Sequence, residues 1–88
     1  MTSTERDICE LRNLGEKSAQ WLREVGVETV EQLRSLGAVE VYLRLRRERP
    51  DVSLNLLWAM SAGLDDRDWR DLTKEEKARL LAELENLE

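Results

Sequence analysis

The 88-residue sequence contains no histidine and no phenylalanine, and it has one cysteine and one proline. Histidine is the side chain that most often acts as a general acid or base near neutral pH. A Gly-rich phosphate-binding loop is absent as well. We therefore expect no enzymatic activity, no cofactor and no small-molecule substrate.

Cys9 is the single cysteine, so it has no disulfide partner within the chain. A reducing, cytoplasmic compartment is the simplest interpretation, with Cys9 as a small core residue. The amino terminus lacks the basic and apolar regions of a signal peptide. The longest apolar stretch, 54–64, is interrupted by Asn55 and is too short to cross a bilayer, so we expect no membrane association.

Negative charge is in excess, with a formal net charge of −5 and a pI near 4.8. Residues 1–50 carry nine basic and nine acidic side chains, whereas residues 51–88 carry five and ten. Most nucleic-acid-binding proteins depend on attraction to phosphates, which an acidic domain lacks outside local patches. The charge therefore favours a protein partner and disfavours DNA without excluding it.

A short repeat organises the first half of the chain. Residues 11–15 are Leu-Arg-Asn-Leu-Gly, and residues 33–37 are Leu-Arg-Ser-Leu-Gly. The repeat predicts two units, about 7–26 and 29–49, each formed by a helix, a tight turn and a second helix. Two carboxy-terminal helices, about 52–63 and 74–86, complete the prediction.

The predicted fold is therefore all-α, with five to six helices in one domain over residues 1–88. Capping residues, glycines and the proline set its boundaries. We expect Asn13, Gly15 and Gly37 to lie in turns with φ > 0. The boundaries in chain order are a cap at Ser3, Thr4 or Asp7, a stop at Gly26, a cap at Thr29, a break at Pro50, a cap at Asp51 or Ser53, and a capping box opening at Thr73.

Residues 39–45 present a conflict, because apolar side chains alternate there as in a strand. No other segment offers a partner strand, and an isolated strand would leave backbone donors and acceptors unpaired. The repeat also places a helix at this position. We therefore predict a helix that ends near Arg49.

Three stretches carry a resemblance to a known family. They are residues 11–19 (Leu-Arg-Asn-Leu-Gly-Glu-Lys-Ser-Ala), 26–33 (Gly-Val-Glu-Thr-Val-Glu-Gln-Leu) and 53–59 (Ser-Leu-Asn-Leu-Leu-Trp-Ala). Together they resemble the carboxy-terminal domain of the TfoX/Sxy family of bacterial competence regulators, over roughly residues 6–82. The repeated units resemble a doubled helix-hairpin-helix. The resemblance implies a helical module with a role in regulating DNA transformation; family members often carry it behind a separate amino-terminal domain.

The first hairpin contains candidate contacts for a nucleic acid or a partner: Arg12, Asn13, Gly15 and Lys17. In DNA-binding hairpins, two glycines around an apolar residue let backbone N–H groups approach a phosphate. Here Gly15 and Lys17 match that pattern, whereas Asn13 replaces the first glycine. Glu16 places a carboxylate where the phosphate would lie, so a structural role is favoured over phosphate binding.

Arg44, Arg46, Arg47 and Arg49 form a basic cluster that can bind nucleic acid or an acidic partner. The alternative is a solvated helix end, where positive charge suits the helix dipole. Trp21 is the tryptophan predicted to reach the edge of an interface. The sequence thus predicts a non-enzymatic module that acts through protein–protein contact; the alternative is weak, sequence-independent DNA binding through residues 13–15.

Overall fold

The computed structural model describes residues 6–88 and confirms the all-α prediction. Within that range the chain contains five α-helices, two short 3-10 turns and no strands. In chain order the elements are a first 3-10 turn Ile8–Glu10, α1 Glu16–Glu24, α2 Val30–Leu36, α3 Ala38–Glu48, α4 Leu54–Leu64, a second 3-10 turn Trp69–Asp71, and α5 Lys74–Leu87. Residues 39–45 are helical, as predicted, whereas the proposed caps Ser3 and Thr4 lie outside the described residues.

The first unit opens with a three-residue 3-10 turn in place of a helix. Asp7 caps it: the Asp7 side chain accepts a hydrogen bond from the Cys9 backbone N–H, and the Glu10 side chain accepts one from the Asp7 N–H. A 3-10 turn has three residues per revolution, so Ile8 and Leu11 share the buried side. Cys9 lies between them and is exposed, so the prediction of a core cysteine is wrong.

The two copies of the repeat reverse the chain at different positions. In the first copy Asn13 has φ 77°, and Gly15 is extended at φ −92° and ψ 178°. In the second copy Gly37 has φ 89°. The prediction of a positive φ is therefore confirmed for Asn13 and Gly37 and wrong for Gly15, because the left-handed residue of the first turn is Asn13 and Gly15 serves as the extended N-cap of α1.

The starts of the two units are paired through their backbones. The Ile8 N–H donates to the Glu28 carbonyl at 3.0 Å, and the Val30 N–H donates to the Arg6 carbonyl at 2.9 Å. These bonds flank an isolated antiparallel bridge between Asp7 and Thr29. The pairing places the first 3-10 turn beside α2 and holds the two hairpins side by side.

Helix α3 lies at the centre and packs against α1, α2, α4 and α5. Its apolar side chains are buried on most sides, which explains why alternation in the sequence resembled a strand. The Tyr42 hydroxyl donates to the Val52 carbonyl at 3.1 Å and ties α3 to the segment before α4; burial raises the Tyr42 pKa. The largest fully buried side chains are those of Ile8, Leu22, Val27, Val30, Leu33, Val41, Leu45, Leu57 and Met60.

Candidate interaction site

The Asn13 side chain fastens the first hairpin to the end of α4. Its Nδ2 group donates to the backbone carbonyls of Arg67 at 2.7 Å and Ala59 at 3.3 Å. Its Oδ1 atom accepts from the Trp69 backbone N–H at 3.3 Å. The Asn13 side-chain nitrogen and oxygen therefore form their hydrogen bonds within the protein. This candidate contact residue has a structural role.

Arg12 and Gly63 tighten the same junction. The Arg12 Nη1 atom donates to the Asp66 carbonyl at 2.8 Å. The hairpin backbone lies so close to α4 that a Cβ built on Gly63 would be 2.4 Å from the Arg12 carbonyl oxygen. The acidic segment 65–68 thus supplies backbone acceptors that hold the hairpin, and no group of three or more metal-binding side chains occurs within residues 6–88.

A groove of about 600 Å³ opens beside this junction. The first turns of α1 and α4 both contribute to it, so the positive ends of two helix dipoles lie at its walls. Four of the predicted contact residues line it: Asn13, Lys17, Trp21 and Arg49. The remaining lining residues are Ser18, Asp51, Val52, Ser53, Asn55, Leu56, Ala59 and Trp69.

Two cations lie over the Trp21 ring. The Lys17 Nζ atom is 5.4 Å from the ring centroid, and the Arg49 guanidinium carbon is 4.5 Å from it. Arg49 also donates to the Glu24 carboxylate at 2.9 Å. None of the ion pairs within residues 6–88 involves Lys17, so Lys17 is the cation of this groove that has no carboxylate at ion-pair distance.

Part of the groove lining, here called its floor, is apolar. Leu56 is buried, and Val52 and Trp69 are half-buried. Trp69 is held in place by the bond from its backbone N–H to Asn13. Asp51 is exposed and is the carboxylate that lines this groove. The groove therefore combines two tryptophans, two cations and one acid around an apolar floor.

The arginines predicted to form one cluster make three different sets of contacts, and Glu24 takes part in two of them. Arg49 departs from helical geometry, with φ −134° and ψ 82°, and its side chain reaches Trp21. Arg46 lies over the Tyr42 ring and pairs with Glu88. The side chains of Arg44 and Arg47, three residues apart on α3, line a separate depression of about 220 Å³ with Glu24, Val25 and Glu48.

Two carboxyl groups near the start of α5 have pKa values well below the ordinary range. Hydrogen bonds from the Arg67 side chain, at 2.6 and 3.0 Å, lower the pKa of Glu76 to about 2, and the Thr73 N–H adds to this effect. Side-chain and backbone hydrogen bonds from Arg70 lower the pKa of Asp68 to about 2. Both are structural ion pairs at the start of α5 and the second 3-10 turn.

Eight of the twelve residues that line the groove were not among the contacts predicted from the sequence. Asp51 and Ser53 were predicted as alternative helix caps, Val52 and Leu56 were placed in the predicted helix at about 52–63, and Trp69 was not among the predicted contacts. The available signal was the position of Pro50, two residues after α3 ends at Glu48, where the chain turns and the next residues line the same groove as Trp21.

Comparison with known proteins agrees with the resemblance noted above. The family model described as "TfoX C-terminal domain" matches residues 4–84. The chain is 31% identical over 75 residues to the "DNA transformation protein TfoX" of Haemophilus influenzae; this match covers 85% of the chain and 35% of that protein, so the chain spans about a third of its relative's length.

Two solved structures share the fold. Both are of a protein of unknown function from Listeria monocytogenes, in tetragonal and triclinic crystal forms. Each superposes with a TM-score of 0.82 over 92% of this chain, at 27% and 26% identity, covering 100% and 92% of the other chain.

No helix within residues 6–88 is long and apolar enough to cross a membrane. The family match over most of the sequence, on an all-α fold with paired hairpins, means that the chain belongs to the TfoX C-terminal domain family.

Proposed function

We propose that this domain is a non-enzymatic binding module that acts through protein–protein contact in the regulation of DNA transformation. The observation that carries the proposal is the groove between α1 and α4, which is lined by Trp21, Arg49 and Trp69. Tryptophan and arginine dominate the energetics of protein interfaces. The transformation role comes from the relative in Haemophilus influenzae, whose name states it.

The hydrogen bonds of the first hairpin support a protein partner over a DNA partner. A phosphate-binding hairpin must leave its backbone and basic groups open to the ligand. Here Arg12 and Asn13 bond to the backbone at the end of α4. The alternative, weak DNA binding through residues 13–15, draws on one favourable feature: Lys17 lies in the first turn of α1 beside Gly15, which is open to solvent.

The carboxyl groups support a non-catalytic role. General acid–base catalysis near neutral pH uses groups whose pKa values lie close to the working pH. Within residues 6–88 the carboxyl groups with resolved shifts move away from that range: the pKa values of Asp7, Asp68 and Glu76 fall to about 2, and that of Glu31 is also lowered. These groups stay ionised and serve as hydrogen-bond acceptors.

The test is capture from nuclease-treated extract of the organism that carries the gene, with the domain immobilised and bound proteins identified by mass spectrometry. We expect a specific protein that remains bound between roughly 50 and 200 mM salt, since apolar interfaces respond weakly to salt. In parallel, a labelled duplex is titrated with the domain by fluorescence anisotropy.

The proposal fails if nuclease treatment removes every captured protein. It also fails if the duplex binds tightly and this binding weakens steeply over the same salt range, because that dependence is typical of phosphate contacts. The second result would promote DNA binding through the hairpin to the main function.

A further inference from the structure

We propose that the groove between the first turns of α1 and α4 is the docking site for an acidic segment of a partner protein, one that carries an apolar side chain next to its carboxylates. The inference rests on the proposed function and names the surface and the chemistry of the partner. Its basis is charge complementarity between that segment and this groove, on a domain that is otherwise acidic.

The positive charge of the groove is local. The domain carries a net charge of −5, so an acidic segment is repelled from most of its surface. At the groove, Lys17 and Arg49 lie 5.4 and 4.5 Å from the Trp21 centroid, and Arg49 is also paired with Glu24. The amino end of α4, whose first turn holds no acidic residue, adds partial positive charge. A carboxylate beside Lys17 is attracted there, and the contrast with the acidic surface elsewhere confers specificity.

The apolar floor of the groove is the reason for the apolar side chain in the proposed partner segment. Leu56 forms part of the floor, and the half-buried Val52 and Trp69 flank it. An apolar side chain placed against these residues loses contact with water and adds affinity that salt does not screen. A partner segment with both properties fits the groove better than a purely acidic one.

Single-stranded nucleic acid is the competing occupant and fits less well. Such ligands need a basic track along the backbone and aromatic faces open for base stacking. Here Lys17 and Arg49 are the two cations that line the groove, both lie over the Trp21 ring, and Asp51 adds a negative charge. A polyphosphate backbone would gain few ion pairs in this groove.

The experiment is an anisotropy titration of a short labelled peptide in which Asp and Glu flank two leucines. Matched probes replace the acids with Lys, replace the leucines with Ser, or substitute oligothymidylate for the peptide. The protein variants are Lys17→Gln, Arg49→Gln, their combination and Asp51→Asn, with Arg47→Gln as the control because it makes the same charge change outside the groove. Circular dichroism confirms that each variant is folded.

We expect the acidic-apolar peptide to bind and both substituted peptides to bind more weakly. Lys17→Gln and Arg49→Gln should each weaken binding about two- to fivefold, and their combination about five- to twentyfold. Asp51→Asn should tighten binding about twofold, since it removes a repulsive charge. Arg47→Gln should leave the affinity unchanged.

The inference is overturned if the acidic-apolar peptide does not bind, if the double variant binds it like the parent, or if Arg47→Gln weakens binding as much as Lys17→Gln. Preferential binding of oligothymidylate that the double variant loses would assign the groove to nucleic acid instead. Capture of the same protein by the parent and the double variant would retain protein binding as the function and reject this groove as its site. Failure of the parent to capture any protein would reject the proposed function itself.

Discussion

The Arg12 carbonyl oxygen lies against the α carbon of Gly63, so close that an added Cβ would be 2.4 Å from it. Gly63 lies within α4, where alanine would normally favour the helix by about 1 kcal/mol. The contact reverses that preference, because a backbone carbonyl cannot move aside as a flexible side chain can. Gly63 is therefore the position at which the backbone of the first hairpin can pack directly against α4.

We expect Gly63→Ala to destabilise the domain by about 1–3 kcal/mol, as overpacking in a tight junction does. Chemical denaturation followed by circular dichroism measures the change. Ser61→Ala, two residues earlier on α4, is the control and should alter stability little. A Gly63→Ala variant as stable as the parent would show that the hairpin is not seated against α4.

Serine substitutions at the two repeat glycines, Gly15 and Gly37, should have opposite effects on stability. Gly37 has φ 89° and ψ 147°, a region that is essentially restricted to glycine, so Gly37→Ser should cost about 1–3 kcal/mol. Gly15 is an extended N-cap without a side-chain cap, so Gly15→Ser should stabilise α1 by a few tenths of a kcal/mol, about 0.3. Thermal unfolding of the two variants checks this contrast. Equal losses of stability at both positions would support the prediction from the sequence that both glycines have a positive φ.

Asn13→Gly isolates the hydrogen bonds of the Asn13 side chain. Glycine tolerates the φ of 77°, so backbone strain is not added, while the bonds to Ala59, Arg67 and Trp69 are lost. We expect a loss of about 1–3 kcal/mol, with backbone groups left unpaired at the end of α4. Amide exchange should rise at Trp69 in particular. Unchanged exchange there would mean that the Asn13 side chain does not hold this segment.

Glu76 should contribute to acid sensitivity. Its pKa falls from an ordinary 4.5 to about 2, so its ion pair stabilises the fold above about pH 4.5 and this stabilisation is lost as the pH falls toward 2. Glu76→Gln keeps an acceptor for the Thr73 N–H and removes the charge. The melting temperatures of the parent and Glu76→Gln should therefore differ at neutral pH and converge in acid. Glu75→Gln is the control, and a constant difference between the parent and Glu76→Gln at every pH would contradict the assignment.

Glu16 is the residue expected to limit duplex binding at the first hairpin. The hydrogen bonds of residues 6–88 include none from an α1 amide to the Glu16 side chain, so its contribution is one of charge at the helix start. Glu16→Lys should raise duplex affinity from very weak to measurable at low salt and lower helix stability slightly. Anisotropy titration checks this, with Glu16→Lys combined with Lys17→Glu as the charge-matched control. No gain in Glu16→Lys would mean that this surface does not face a ligand.

The sequence by itself determined the all-α class, because its signals are local. Thr29 with Gln32 and Thr73 with Glu76 form the capping boxes that open α2 and α5, and such boxes need residues at fixed short spacing. The helical state of residues 39–45 followed from the lack of a partner strand. Gly37 took its positive φ as expected, since glycine readily supplies that conformation after a helix.

Tertiary structure decided the roles of the residues that meet across the chain. Asn13 and Gly15 are close in sequence, yet Asn13 takes the left-handed turn because its side chain reaches acceptors and a donor near the end of α4. The groove likewise joins Trp21 to Trp69, which lie 48 positions apart in the sequence. No local pattern encodes these contacts, because they exist only where the tertiary fold brings α1, the start of α4 and the second 3-10 turn to one groove.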